Sequence, residues 1–234
     1  MSELWTTLAE RASLPLDDHQ RAKLHRYLDL LLDANIRMNL TRITERAQAE
    51  LHHVSDSLTL LPFLPQGAIK VADIGSGGGV PGIPLAIVRA DAHFTLVEST
   101  KKKAAFLRDA IQQLNLPNVT ISDQRAEDLA HSDQRETFDV VTARAVATMD
   151  WLVEWCMPLV KKGGKFLAMK GPKVESELPA AKKAMNVTAS GAQIVHRIDL
   201  PGTDHRLIIE IPKLGKSDPR YPRPATQAKG KPLT

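Results

Sequence analysis

A short apolar strand that runs into a glycine-rich turn constrains this 234-residue chain more than any other feature. Val71-Ala-Asp-Ile74 is followed by five glycines between Gly75 and Gly82. Because glycine has no Cβ, it adopts positive φ at little cost and lets a ligand lie against the backbone. The apolar residues after Pro81 are typical of a helix. The segment therefore predicts a strand, a turn and a helix N-terminus that bind a nucleotide or nucleoside.

Alternating strand and helix patterns follow this turn. Strands are predicted at residues 69–74, 93–98, 118–122, 137–143 and 165–170, and helices at 82–90, 101–114, 126–130, 148–160 and 173–186. This alternation predicts right-handed βαβ units in a parallel sheet with helices on both faces. Two further strand-like runs, 191–198 and 205–211, joined by Leu200–Asp204, predict a hairpin. We therefore expect a mostly parallel, seven-stranded α/β sheet with an antiparallel edge.

The pattern also divides the chain into three regions. Leucines at helical spacing after Asp17 predict a capped helix from about 17 to 38, and a short helix is expected from Thr44. Residues 1–66 are predicted to form an N-terminal helical extension, because no strand pattern precedes residue 69. The predicted ligand-binding domain spans 67–212, and a basic, proline-rich tail spans 213–234. Proline interrupts helices and strands, so the tail from Gly215 is predicted to contain neither.

The composition excludes several classes of protein. A single cysteine, Cys156, excludes an intramolecular disulfide framework. Apolar runs fall short of the roughly 18–20 residues that a membrane span requires. The opening Met-Ser-Glu-Leu-Trp lacks the basic and apolar regions of a secretory signal. We therefore expect a cytoplasmic protein that does not contact a membrane.

Charge is distributed unevenly along the chain. Residues 161–234 carry 15 Lys and Arg against 6 Asp and Glu, whereas residues 1–160 carry 16 against 21. The two parts thus have net charges of +9 and −5. Clustered cations release counterions from phosphates, so the C-terminal third indicates a polyanionic partner such as a nucleic acid. A basic surface that serves solubility alone is the alternative.

Two acidic residues distinguish the possible ligands of the glycine turn. The spacing of Gly77, Gly79 and Gly82 also matches a dinucleotide fingerprint, which leaves a nicotinamide cofactor open. The absence of the Walker lysine argues against an ATP-type loop. Asp73 ends the first predicted strand, where a carboxylate favours a cationic or amino-bearing ligand over a pyrophosphate. Glu98 ends the second, where it can bind both ribose hydroxyls. A sulfonium nucleoside with an amino-acid group suits both acids.

Each of these residues also has a structural alternative. Asp73 could accept backbone bonds in the turn, and Glu98 could cap the next helix. Arg144 follows the fourth predicted strand, where this type of fold presents its reaction chemistry. It could instead pair with Asp139 or Glu127.

Several motifs together resemble the bacterial small-subunit rRNA guanine-N7 methyltransferase family, also called glucose-inhibited division protein B. The resemblance covers nearly the whole chain. Its motifs are Asn39-Leu-Thr-Arg-Ile43, His53-Val-Ser-Asp-Ser-Leu58, Asp73 to Pro84, Glu98 to Lys103, Arg125-Ala-Glu127, Arg144-Ala-Val146, Lys170-Gly171 and Tyr221-Pro-Arg223. One departure lies in the tail, where Pro224 to Leu233 is less basic than the corresponding run of the family.

The resemblance implies a Rossmann-like class I methyltransferase fold with S-adenosylmethionine as cofactor. It implies that Gly75 and Val80 line the cofactor, that Glu98 binds the ribose, and that Ala126 and Glu127 lie beside the adenine. We assign two further residues of the turn region, Asp73 and Gly77, to the same ligand. The resemblance places Arg144 near the methyl-transfer site, and we count Arg144 among the cofactor-binding residues as well. The implied substrate is a guanine in the helix 18 loop of 16S rRNA.

The residues that follow the fourth predicted strand agree with this acceptor. Methylation of a pyrimidine C5 needs a cysteine nucleophile, but Cys156 lies in an apolar run typical of a buried helix. The Asn/Asp-Pro-Pro-aromatic turn used for exocyclic amines is missing. Guanine N7 requires neither, because its lone pair is nucleophilic and carries no proton. We therefore expect direct in-line displacement, with Arg144 as the catalytic residue that donates to guanine O6 or to a phosphate.

Basic residues of the second half are candidates for the RNA contact. They are Arg125, Lys170, Arg206, Arg220 and Arg223, with Tyr221 as the one exposed aromatic. The expected partner is 16S rRNA or a precursor of the small ribosomal subunit. We expect no metal, because His52-His53 has no cysteine or acid at ligand spacing. A monomer is expected. A non-catalytic RNA-binding or assembly factor that retains the fold is the remaining alternative.

Overall fold

The computed structural model describes residues 2–203, 206–228 and 230–233, and its centre is a seven-stranded sheet. The strands are β1 Lys70–Ile74, β2 His93–Val97, β3 Val119–Ser122, β4 Phe138–Arg144, β5 Val160–Lys170, β6 Ile194–Ile198 and β7 Arg206–Pro212. Their order is β3-β2-β1-β4-β5-β7-β6. The pairs β2–β3, β1–β4 and β4–β5 are parallel, whereas β5–β7 and β6–β7 are antiparallel. The predicted sheet with an antiparallel edge is thus confirmed.

The helices follow the predicted alternation with few exceptions. They are α1 Ser2–Arg11, α2 Asp18–Met38, α3 Arg46–Ala49, α4 Asp56–Leu58, α5 Gly82–Val88, α6 Lys101–Gln113, α7 Ala126–Leu129, α8 Met149–Cys156, α9 Val174–Glu177, α10 Lys182–Val187 and α11 Ala225–Ala228. A π-helical segment, Glu50–Ser55, joins α3 to α4.

Some predicted elements differ from the structure, and one predicted boundary lies outside the described residues. The single helix expected over 173–186 is divided into α9, a 3-10 turn at Leu178–Ala181 and α10, because Pro179 cannot donate a backbone hydrogen bond inside a helix. Helix α1 was not predicted. The connecting loop was expected to end at Asp204 and the last strand to begin at 205, and both positions lie outside the described residues.

Clustering of backbone contacts divides the chain into two compact units. The first unit comprises Met1–Ile69, Ser76–Asp123 and Leu200–Thr203, and the second comprises Lys70–Gly75, Gln124–Asp199 and Asp204–Thr234. The predicted division at residues 66 and 212 remains a prediction. Among the described residues, no helix is both long and apolar enough to cross a membrane.

Helix α2 is the main element of the N-terminal part of the first unit. Its N-terminus carries the predicted cap, since the Asp17 carboxylate accepts from Gln20 N at 2.7 Å and the Gln20 side chain accepts from Asp17 N at 3.0 Å. This reciprocal pair satisfies two backbone donors that the helix leaves unpaired. The buried face of α2 carries Leu24, Tyr27, Leu28 and Leu31. The predicted helix from about 17 to 38 is confirmed.

The C-terminal tail packs within the second unit. Arg135 donates to the carbonyl oxygens of Tyr221 and Asp218 at 2.9 and 3.2 Å. The prediction that the tail contains no helix is wrong, because α11 follows Pro224. Proline is tolerated just before or at the start of a helix, where its missing N–H leaves no bond unmade.

Two basic residues of the C-terminal tail, Lys213 and Arg223, pair with acids inside the second unit. Lys213 is 1% exposed, donates to Met157 O at 2.9 Å and lies 3.3 Å from a Glu136 oxygen. Burial lowers the pKa of Lys213 to about 8, against the opposing effect of Glu136. Arg223 forms a forked pair with the fully buried Glu154, at 2.8 Å from Nε and 2.7 Å from Nη2. Arg223 N donates to the same carboxylate at 2.9 Å. The tail is therefore attached to α8 by a buried ion pair.

We predict that Arg223→Ala lowers the free energy of unfolding by about 3 kcal/mol, because removal of one partner leaves the Glu154 charge buried and uncompensated. Urea unfolding followed by circular dichroism measures the change. The control is Arg220→Ala, since Arg220 pairs with Asp218 on an exposed surface. Equal stability of the two variants would contradict an anchoring role for Arg223.

Candidate active site

In the first unit, the glycine turn is closed by its own backbone. Gly79 N and Val80 N both donate to Ser76 O, at 2.7 and 3.1 Å, and Ser76 N donates to Val97 O at the end of β2. Gly79 has a φ of +93°, and a Cβ at this position would lie 2.5 Å from Ile83 Cδ1. Glycine is therefore required here both by conformation and by space.

Glu98 connects this turn to the start of α6. Its Oε2 accepts from Gly77 N at 3.0 Å, and its Oε1 accepts from Thr100 N at 2.8 Å. The bond to Thr100 is the capping role that was the alternative for Glu98. A carboxylate has about four acceptor sites, so two backbone donors leave capacity for a ribose diol. The carboxylate is 7% exposed and held in place, which suits the predicted cofactor contact.

Helix α2 supports the turn from the other side within the same unit. The Tyr27 hydroxyl donates to Gly78 O at 2.8 Å. A Cβ at Gly78 would lie 2.7 Å from Leu31 Cδ1. The apolar stripe of α2 therefore packs closely against the turn backbone, and Val80 is 8% exposed beside it.

In the second unit, Asp73 lies at the carboxyl end of β1 and is 1% exposed. Thr142, its partner in register on β4, donates from Oγ1 to Asp73 Oδ1 at 3.1 Å. A carboxylate held in this buried position has the acceptor chemistry that an amino-bearing ligand requires. Sequence reasoning missed Thr142, although it lies in the predicted fourth strand.

Gly75 ends the part of the turn that belongs to the second unit. Its φ is +70°, and a Cβ would lie 2.6 Å from Val146 Cγ2. Val146 therefore lies directly over the backbone of Gly75, yet it is 38% exposed. Val146 belongs to the resembling motif after β4, which was the signal that could have identified it.

The remaining cofactor candidates of the second unit lie at the start of α7. Ala126 and Glu127 are 8% and 6% exposed, and Arg125 Nε lies 3.7 Å from Glu127 Oε1. Cys156 is fully buried, and burial, together with the nearby Asp73 and Glu127 acids, raises the pKa of its thiol well above the usual value. The predicted core position of Cys156 is therefore confirmed. A buried, protonated thiol is also a poor nucleophile.

Arg144 is the last residue of β4 and lies in register with Met169 of β5. Its side chain is half-buried. The next residue in β5, Lys170, is the predicted RNA contact. The ammonium of Lys170 lies 2.7 Å from Glu177 Oε2, and its side chain is only 12% exposed. No sequence pattern indicated Glu177.

The structure separates the other predicted RNA contacts by exposure. Arg125 and Arg220 are exposed, with side chains 58% and 79% accessible. Hydrogen bonds from Arg220 lower the pKa of Asp218 to about 2. Arg206 and Tyr221 are half-buried, and Arg223 is engaged by Glu154. Within the described part of the chain, no group of three His, Cys, Asp or Glu side chains could hold a metal ion.

Comparison with solved structures supports the fold. The chain is similar to a precorrin-6y C5,15-methyltransferase from Geobacter metallireducens, with a TM-score of 0.52 and 15% identity over 68% of this chain and 87% of that chain. A 16S rRNA (adenine(1408)-N(1))-methyltransferase variant from Catenulisporales acidiphilia matches with a TM-score of 0.51 and 11% identity over 64% and 87%. These likenesses confirm the predicted Rossmann-like methyltransferase fold.

Sequence comparison is more specific. Proteins named ribosomal RNA small subunit methyltransferase G are 41% identical in Lactobacillus helveticus, over 93% of both chains, and 42% identical in Desulfitobacterium hafniense, over 96% of this chain and 94% of the relative. A family model described as rRNA small subunit methyltransferase G matches residues 20–205. Membership of this family confirms that the protein is an rRNA methyltransferase and that its cofactor is S-adenosylmethionine, as predicted. The chain therefore belongs to the family of rRNA small subunit methyltransferase G.

Proposed function

We propose that the protein transfers a methyl group from S-adenosylmethionine to N7 of a guanine in the helix 18 loop of 16S rRNA. The observation that carries this proposal is the chemistry at the end of β4. The strand ends in a guanidinium, Arg144, while the chain's one cysteine is sealed in the core with a raised thiol pKa. This arrangement suits an acceptor atom that needs neither a covalent nucleophile nor proton removal.

Buried carboxylates and the backbone of the glycine turn are the proposed cofactor contacts. When bound, S-adenosylmethionine supplies an electrophilic methyl group on a sulfonium. In the first unit, Glu98 accepts from the ribose hydroxyls while the backbone of Gly77 and Val80 lines the ligand. In the second unit, Asp73 accepts from the amino group, the backbone of Gly75 gives close access, and Ala126 with Glu127 lies beside the adenine. The carboxylates are each below 8% exposed, so their hydrogen bonds are little weakened by competing water.

Arg144 is the proposed catalytic residue. Guanine presents O6 and N7 as acceptors on one edge, and a guanidinium can donate to O6 while leaving the N7 lone pair available. Donation to N7 itself would block the nucleophile, so we assign Arg144 to O6 or to an adjacent phosphate. The rate then depends on the position of the acceptor relative to the methyl group rather than on proton transfer.

The proposed RNA surface belongs to the second unit. Arg125 and Arg220 have the exposure that phosphate contacts require. Tyr221 and Arg206 are half-buried, and Tyr221 directly follows Arg220 in the sequence. We retain Arg223 as an RNA contact only through its exposed portion, because Glu154 occupies its guanidinium. The proposed substrate is 16S rRNA or a small-subunit precursor, on which the protein acts as a cytoplasmic monomer without a metal.

We predict that Arg144→Ala reduces single-turnover methyl transfer by about 100-fold or more, since one positioned donor contributes that much in other enzymes. The Kd for S-adenosylmethionine should rise by far less than the rate falls, because the contact proposed to govern the rate is to the RNA. Tritium transfer to small subunits from cells lacking the protein measures the rate, and calorimetry measures the Kd. Exposed Arg11→Ala is the control. Unchanged turnover would remove Arg144 from the mechanism.

The acceptor atom is tested by the product. Reverse transcription after borohydride and aniline treatment should locate one strand break at a guanine of the helix 18 loop, in subunits treated with the wild-type protein and the cofactor. A tritiated product without that break would contradict N7. Absence of any transfer, with intact binding to the subunit, would favour a non-catalytic assembly factor.

We predict that Glu98→Gln weakens S-adenosylmethionine binding by about 10- to 100-fold. The amide retains one acceptor oxygen but loses charge-assisted bonds, which contribute about 1.5–3 kcal/mol each. Calorimetric titration measures the Kd, with the exposed Glu45→Gln as a matched control.

The identity of the cofactor is tested by titrating the wild-type protein with NAD⁺ and NADP⁺ as well. Tight nicotinamide binding without S-adenosylmethionine binding would overturn the cofactor assignment.

A further inference from the structure

A partly buried polar contact joins the end of β5 to the loop after β4. Lys170, the last residue of β5, donates from Nζ to Ala147 O at 2.9 Å. The same ammonium lies 2.7 Å from Glu177 Oε2, with side-chain exposures of 12% and 22%. Lys170 is thus engaged by a carbonyl and a carboxylate of its own unit.

Glu177 makes a second contact with the same stretch of chain. Its Oε2 accepts from Met149 N at 3.0 Å, at the first residue of α8. A negative charge at a helix N-terminus satisfies a backbone donor that the helix leaves unpaired and complements the helix dipole. One carboxylate oxygen therefore holds both the start of α8 and the ammonium that binds Ala147.

These contacts enclose the segment Ala145–Thr148, here called the β4–α8 loop. The loop begins directly after Arg144 and places Val146 over Gly75. Its first residue, Ala145, has a φ of +56°, a conformation that a non-glycine residue rarely adopts without support. Arg144 lies in register with Met169, one residue before Lys170. Glu177 and its contacts with Lys170 and Met149 N, here called the clamp, thus act on the segment that joins the proposed catalytic arginine to α8.

We propose that Glu177, acting through Lys170 and Met149 N, is a positioning residue for methyl transfer. It holds the β4–α8 loop so that Arg144 and Val146 keep one arrangement at the carboxyl end of β4. The proposal rests on the proposed function, and it gives Lys170 a role in the loop in place of a phosphate contact. Because small displacements of a reacting group reduce rates steeply, loss of the clamp should affect the rate constant more than substrate affinity.

Three substitutions at position 177 separate the contributions of charge and of hydrogen bonding. Glu177→Gln keeps an oxygen that can accept from Met149 N but removes the charge opposite Lys170. Glu177→Ala removes both contacts, and Glu177→Asp restores the charge on a shorter side chain. Glu175→Gln is the matched control, because Glu175 lies on the same short helix and its partner among the described residues is Arg197, in an exposed pair.

The expected kinetic result is a split between kcat and KM. Glu177→Ala should lower kcat by about tenfold or more, while KM for small subunits and the Kd for S-adenosylmethionine change less than about twofold. Glu177→Gln should fall between this variant and the wild type, and Glu177→Asp should regain part of kcat. Glu175→Gln should match the wild type. An unchanged kcat in Glu177→Ala, or a change confined to KM, would overturn the positioning role.

A second readout does not depend on activity. Hydrogen exchange of the ligand-free protein, read by mass spectrometry, should show about tenfold faster exchange of Met149 N–H in Glu177→Ala and wild-type exchange in Glu175→Gln. Unchanged exchange would show that the clamp does not hold the loop. Should the wild type itself transfer no methyl group, the proposed function fails while faster exchange still supports the clamp. Should the wild type be active and Glu177→Ala equally active, only the positioning role fails.

Discussion

The lack of space for a side chain at the glycine turn is the constraint on which the rest of the site depends. In the first unit, a Cβ at Gly78 or Gly79 would meet Leu31 or Ile83 at 2.7 and 2.5 Å. In the second unit, a Cβ at Gly75 would meet Val146 at 2.6 Å. Side chains from the elements around each part of the turn thus already touch its backbone. Any residue larger than glycine would displace these side chains. It would also displace the Glu98 carboxylate, which accepts from Gly77 N in the turn.

Buried carboxylates are the second organising feature. Glu98, Asp73, Glu127 and Glu154 are all less than 8% exposed. A buried charge is costly unless hydrogen bonds or an opposite charge compensate it. Glu98 receives backbone donors, Asp73 receives a hydroxyl, and Glu154 receives a guanidinium. Glu98 retains acceptor capacity that a ligand can use, whereas Glu154 is used to attach the tail.

Pairing with acids also reduces the number of cations that the basic C-terminal third offers to a polyanion. The charge count treats Lys170, Lys213 and Arg223 as equal to any surface cation. In the folded chain all three face carboxylates, at 2.7 to 3.3 Å, and their side chains are at most 17% exposed. The cations available to a polyanion are therefore fewer than the net charge suggests. Arg125 and Arg220 also lie near acids, but their side chains are 58% and 79% exposed.

Local patterns by themselves determined the alternation of strands and helices in the sheet domain, the capped helix α2, the antiparallel end of the sheet and the position of the glycine turn. These features depend on periodicity, caps and glycine, which act over a few residues. The tertiary structure alone decided that Glu177 reaches Lys170 and α8, that Val146 covers Gly75, and that Arg223 pairs with Glu154. Those partners are brought together by sheet register and helix packing over 7 to 71 residues of chain, and no local pattern encodes such contacts.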